Sequence, residues 1–180
     1  NSEDNGVRGG TTMEDYQKLK PAFIENGTVT AATSSPLTDG AAAVIVCSED
    51  YANKNSLEIL AYIRGMAISG CSPEIMGIGP VLSSQKALKR AGIKLEDVDI
   101  IEMNEAFAAQ SLACIKELGV EMSKLNIHGG AISMGHPLGA SGARITGKAA
   151  SLLKETGKRY ALSTMCVGGG QGCATVLERA

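Results

Sequence analysis

Beyond Asn55, short apolar runs alternate with longer segments of helical spacing, and this alternation most limits the folds open to the chain. Leu60–Ile68, Val98–Met103, Tyr160–Met165 and Ala174–Glu178 have the length and composition of strands. Val81–Ala91, Ala106–Leu118 and Ser141–Thr156 repeat apolar residues at three- and four-residue spacing. Each helical segment runs into a glycine (Gly92, Gly119 or Gly157), the usual residue where a helix closes in left-handed backbone. Pro80 stands where a helix would begin. Strands alternating with helices, closed by two successive strands, predict a layered α/β fold, a mixed sheet covered by helices. The 22 glycines argue against a helical bundle and for tight turns and close backbone approaches.

The first third is less regular. Asn1–Thr12 reads as loop, and Met13–Leu19 as one or two helical turns stopped by Pro21. Thr28–Ala32 has the composition of a short strand, as does Leu125–Ile127 further on. Ala41–Cys47 is an unbroken apolar run that predicts a strand buried on both faces. Ser48–Asn55 reads as a short amphipathic helix. The change from loop-rich to regular chain falls near Asn53–Leu57.

Hydrophobic residues make up 44% of the chain, enough for a core. The net charge is −2 and no basic stripe with interleaved aromatics occurs, so nucleic acid is not an expected partner. No apolar run reaches the roughly 18 residues of a membrane span. The polar start Asn1–Gly6 resembles no signal peptide and lacks an initiator Met, which reads as an internal piece of something longer. Five cysteines, odd in number and widely spaced with no Cys-x-x-Cys, argue against a disulfide scaffold or zinc ribbon and for a reducing compartment. Cys47, Cys71, Cys114 and Cys173 read as small buried hydrophobes.

Three stretches carry chemistry. His136 lies in Gly135-His136-Pro137-Leu138-Gly139-Ala140-Ser141-Gly142, where glycines admit a close substrate and a following helix N-terminus favours negative charge. Imidazole can hold or pass a proton at neutral pH; the rival reading is a structural loop histidine. His128 has no such setting and reads as structural or surface. Cys166 ends an apolar strand and enters Gly168-Gly169-Gly170, a place for a nucleophile or acid/base beside amide groups free to hold an oxyanion. A phosphate loop is disfavoured there, since no Lys-Ser/Thr follows. Asn104-Glu105 marks a strand-to-helix junction; the amide either serves an oxyanion or caps the helix, and Glu105 is read as a residue that orients a partner. Phe107 is core or the wall of a narrow pocket.

These stretches, Asn104-Glu105-Ala106-Phe107, Gly135–Gly142 and Cys166-Val167-Gly168-Gly169-Gly170-Gln171-Gly172, together resemble the C-terminal half of thiolases, the acetyl-CoA acetyltransferases and 3-ketoacyl-CoA thiolases. Leu19–Phe23, Gly27–Ala31, Asp39–Ala43 and Met76–Pro80 join the match. The resemblance implies a thiolase-like layered α/β fold with residues 1–37 as the tail of a loop domain, 38–53 as the last strand and helix of an N-terminal domain, and 54–180 as the C-terminal domain. It implies that His136 activates a nucleophilic cysteine and donates to the thioester oxygen. Asn104 would hold a water in the same oxyanion hole, Cys166 would move the substrate α-proton, and the Gly168 N–H would serve a second hole. Arg8, Phe23, Ser35, Met76, Ala106 and Phe107 match positions around coenzyme A and the acyl group. Thr33 and His128 depart from the family pattern, each standing where an Asn is usual. None of the five cysteines matches the acylated one, so the chain alone is expected to be inactive and to need a complementary N-terminal half. Coenzyme A thioesters are the implied substrates and acyl-CoA and coenzyme A the implied small-molecule partners. No cofactor or metal is implied, and a cytoplasmic homo-oligomer is. The alternative is a non-catalytic acyl-CoA-binding or assembly subunit on the same scaffold.

Overall fold

The structure, a computed structural model, describes residues 8–180, so most of the loop expected over Asn1–Thr12 lies outside the described residues. Four strands form one mixed sheet: β1 (Ala61–Gly70), β2 (Ile100–Met103), β3 (Tyr160–Val167) and β4 (Gln171–Arg179), in the order β1-β4-β3-β2. β4 is antiparallel to both β1 and β3, whereas β2 runs parallel to β3. A parallel pair needs a crossover between its strands. Here α4 (Ala108–Leu118), α5 (Ala131–Met134) and α6 (Leu138–Thr156) lie between β2 and β3, while α3 (Gly79–Ala91) separates β1 from β2. Two short helices, α1 (Met13–Gln17) and α2 (Glu49–Lys54), precede the sheet. As the sequence predicts, α3, α4 and α6 close on Gly92, Gly119 and Gly157 at φ of +71°, +74° and +69°.

Adjacent strand residues serve opposite faces of the sheet, so it is packed on both sides. Ile101, Leu162 and Val176 join Ala67 and Met103 under Leu88 of α3 and Cys114 of α4. Their neighbours Ile100, Ala161 and Leu177 face Ala149, Leu152 and Leu153 of α6. Burying each larger aliphatic side chain contributes about 1.5–3 kcal/mol. α3 lies so near β1 that a Cβ on Gly65 would sit 2.5 Å from the Ala87 carbonyl oxygen, and the β1 register shifts between Ile63 and Gly65.

Several expectations are corrected. Thr28–Ala32 is not a strand: Ala31–Thr33 forms a 3-10 turn, and the Thr33 hydroxyl accepts the Thr30 N–H at 2.9 Å. Threonine side chains offer the backbone such local alternatives to a ladder. Ala41–Cys47 forms no strand among the described residues and is exposed, with Ile45 at 83% and Val46 at 71%. A strand requires a partner for its N–H and C=O groups, and no described strand pairs with this run. Cys47 is therefore exposed, not buried. Leu125–Ile127 contributes only one parallel bridge, Leu125 to Ile101. α6 starts at Leu138 rather than Ser141, because Pro137 caps it and its carbonyl accepts the Ala140 and Ser141 N–H groups, each at 2.9 Å. No helix among the described residues is long and apolar enough to cross a membrane.

Candidate active site

The parallel pairing of β2 and β3 puts their C-terminal ends on one edge of the sheet. Met103 lies opposite Thr164, and the Asn104 N–H donates to the Thr164 carbonyl at 2.9 Å. Cys166 follows on the same strand, 6% exposed. Burial pushes its thiol up from the ordinary range, and nearby Cys71 adds to this. Cys71 is held against the turn that leaves Cys166, its N–H donating to the Gly170 carbonyl at 2.7 Å. Cys114 lies within electrostatic reach of Cys166; burial pushes its thiol up to about 11, and it donates to the Gly77 carbonyl at 3.3 Å. Gly168, at the start of the turn, is exposed and faces open space where a side chain would project.

Asn104 is fully buried, yet among the described residues neither its Nδ2 nor its Oδ1 has a hydrogen-bond partner. Buried amides are nearly always paired, so this one calls for an explanation. It does not cap α4, whose N-cap is Phe107 with no side-chain bond. A second buried asparagine, Asn126, behaves oppositely. Its Oδ1 accepts the Met103 N–H at 2.9 Å, and its Nδ2 donates to the Met103 carbonyl at 2.9 Å and to Glu105 Oε1 at 2.7 Å. The other Glu105 oxygen accepts the Ile132 N–H in the first turn of α5 at 3.1 Å. A side chain on Gly130 would overlap that carboxylate.

α5 ends at Gly135, whose φ of +95° turns the chain into His136. His136 is half-buried, and its Nδ1 lies 2.6 Å from the hydroxyl of fully buried Ser141 in α6. The Ser141 hydroxyl also donates to the Pro137 carbonyl at 3.1 Å. With that proton committed, the serine accepts from Nδ1–H, which leaves Nε2 of the neutral ring as the free acceptor. Burial, and secondarily the Arg144 guanidinium, hold the imidazole below its ordinary pKa. The first turns of α6 lie at the end of β3, since a Cβ on Gly142 would sit 3.8 Å from Met165 Sδ.

Most of the remaining expected residues gather around the start of α4. The N–H and hydroxyl of Ser35 both donate to the Ala106 carbonyl, at 3.0 and 3.2 Å. Ser34 forms an antiparallel bridge with Phe107, and Phe23 meets the Phe107 ring edge-on at 6.1 Å. Met76 is half-buried in the 3-10 segment Pro73–Ile78, its carbonyl 4.0 Å from the Cys71 thiol. Arg8 is exposed, and among the described residues no hydrogen bond or ion pair ties its guanidinium to this cluster. His128 is exposed, as expected of a surface residue. A cavity of about 870 Å³ between the Ala42–Glu49 run, β1 and α6 is lined by none of Asn104, His136 or Cys166. Glu105 was legible as a residue that orients a partner, whereas Asn126 and Ser141 gave no signal of their own; a left-handed φ of +43° at Asn126 belongs to a turn no motif announced.

Comparison with known proteins agrees with this fold. The thiolase C-terminal domain matches residues 57–179 and the thiolase N-terminal domain residues 1–50. The chain is 56% identical over 180 residues to the 3-ketoacyl-CoA thiolase of Vibrio parahaemolyticus serotype O3:K6, covering 98% of this chain and 46% of that protein. It superposes on the crystal structure of human mitochondrial 3-ketoacyl-CoA thiolase in complex with CoA with a TM-score of 0.95 at 49% identity, covering 98% of this chain and 45% of that one. The Bacillus anthracis acetyl-CoA acetyltransferase gives a TM-score of 0.94 at 43% identity, covering 99% and 45%. The chain thus spans about half the length of the relatives it matches. Its domain matches and its sheet agree, and the chain belongs to the thiolase family.

Proposed function

We propose that this chain is the C-terminal part of an acyltransferase that moves acyl groups between coenzyme A thioesters, condensing two acetyl-CoA molecules or cleaving a 3-ketoacyl-CoA with coenzyme A. The observation that carries the reading is the buried, unpartnered Asn104 amide beside the strand end that bears Cys166. In this reading a nucleophilic cysteine, carried by the N-terminal portion that the relatives possess, gives its proton to His136 Nε2 and attacks the thioester carbon. The imidazolium then donates to the developing oxyanion, with Asn104 adding a second donor through a water. Coenzyme A leaves as the thiol and an acyl-cysteine remains. In the second half, Cys166 takes or returns the α-proton while the Gly168 N–H stabilises the enolate oxygen. A thiol raised by burial is the stronger base in its thiolate form, which suits taking a proton from carbon once its own proton has been given up.

Phe23, Ser35, Met76, Ala106 and Phe107 would contact the acyl group and pantetheine, and Arg8 the distal part of coenzyme A. The family resemblance supports homo-oligomeric assembly, a role in fatty acid metabolism and a cytoplasmic setting. Five free cysteines suit a reducing compartment.

The test is intact-mass labelling of this chain reconstituted with the N-terminal portion its relatives carry. Incubation with acetyl-CoA should place one acetyl group on a cysteine outside these 180 residues, and Cys166→Ala should abolish turnover. Labelling of one of the five cysteines here, or binding without turnover, would refute the acyl-transfer reading in favour of another nucleophile or a binding subunit.

A further inference from the structure

Asn104 and His136 sit on separate segments, one at the end of β2 and the other after α5, and something must set their separation. Two observations identify it. Glu105 spans the gap: one carboxylate oxygen accepts from Asn126 at 2.7 Å, and the other accepts the Ile132 N–H at 3.1 Å. Ile132 is the second residue of α5, so the carboxylate caps that helix from a remote point in the chain. Asn126 in turn grips both the N–H and the carbonyl of Met103, the last residue of β2. Independently, Gly130 leaves no room for a side chain, because the space is filled by the Glu105 carboxylate. The charge thus rests in a slot shaped by backbone, with donors on two sides.

We propose that Glu105 is a positioning residue: it clamps the 126–132 turn and α5 to the end of β2 and so sets where His136 stands relative to Asn104. This rests on the reading of those two residues as one oxyanion hole. An ionised carboxylate can accept from both donors at once, whereas a glutamine of equal volume presents one oxygen and one NH₂ group. The NH₂ must then face a donor, Asn126 Nδ2 or Ile132 N–H, and the clamp opens on that side. Hydrogen bonds to charged groups are stronger than neutral ones, so the exchange also weakens the surviving contact.

The experiment is a double-mutant cycle in the complete enzyme, reading kcat and KM for thiolysis of acetoacetyl-CoA. Glu105→Gln should lower kcat about 10²-fold, the scale of a misplacement near 1 Å, with KM little changed. In the Asn104→Ala background the same substitution should cost under about 10-fold, because the hole it aligns is already incomplete. Gly130→Ala, which displaces the carboxylate by another route, should reproduce the kcat loss. Fully additive losses, or a change confined to KM, would overturn the proposal. Failure of Glu105→Gln to fold would also overturn it, by making the residue a requirement of the fold. If Asn104→Ala and His136→Asn leave kcat intact, the acyl-transfer reading itself fails, and the proposal fails with it.

Discussion

The two buried asparagines make opposite predictions that one pair of substitutions tests. Asn126→Ala removes three hydrogen bonds and strands the Met103 N–H and carbonyl together with one oxygen of Glu105. Each bond contributes about 0.5–1.5 kcal/mol net, and a stranded buried group costs about 1–3 kcal/mol, so the loss should be about 3 kcal/mol or more. Asn104→Ala removes an amide of the same size that is fully buried but bonds to no protein group among the described residues. Its removal strands no described protein donor or acceptor, so only the small cavity left behind counts against stability. Its stability should stay within about 1 kcal/mol of the parent. Activity should fall about 10²–10³-fold, the worth of one oxyanion donor. Urea unfolding of the complete enzyme gives the first quantity and steady-state thiolysis the second. If Asn104→Ala destabilises as much as Asn126→Ala, the Asn104 amide is a structural group and the inference from its lack of partners is wrong.

Three further outcomes follow from the same geometry. Ser141→Ala takes away the acceptor for His136 Nδ1–H and frees the tautomer, so kcat should fall about 10-fold or more; an unchanged kcat would show that packing alone orients the ring. Arg144→Gln removes a cation that helps hold His136 below 6.5, so the acid limb of the pH–kcat profile should move to higher pH. The sign for stability is fixed too: the unfolded chain binds the proton more readily, so His136 contributes stability above about pH 6.5 that declines as pH falls toward its lowered folded value. Gly172→Ala would drive a methyl into the Gly79 carbonyl, where rigid backbone cannot yield, costing about 1–3 kcal/mol or more in thermal unfolding.

The regular part of the fold was readable because each signal there is local. Helix ends at Gly92, Gly119 and Gly157, and strand-length runs bounded by turns, depend on a few neighbouring residues. Ala41–Cys47 misled because apolar composition reports a demand for burial and says nothing of whether a neighbouring strand exists to meet it. Thr28–Ala32 misled because β-branched content counts toward a strand while the threonine hydroxyls offer a turn its hydrogen bonds. In the site, the reactive residue types stood out by their glycine-rich settings. The groups that hold them, Asn126 and Ser141, did not, since a hydrogen bond between segments far apart in the chain leaves no local pattern.

The backbone bond from Asn104 to Thr164 has an evolutionary consequence. Outside the segments around Asn126 and His136, the connection between β2 and β3 can lengthen or shorten while the amide and the thiol keep their spacing, because one rung of the ladder measures it. A single-residue deletion inside either strand is another matter: side chains along a strand alternate between faces, so it would turn one of the two groups to the opposite side of the sheet. Length variation between β2 and β3 should therefore spare both strand ends and the segments around Asn126 and His136.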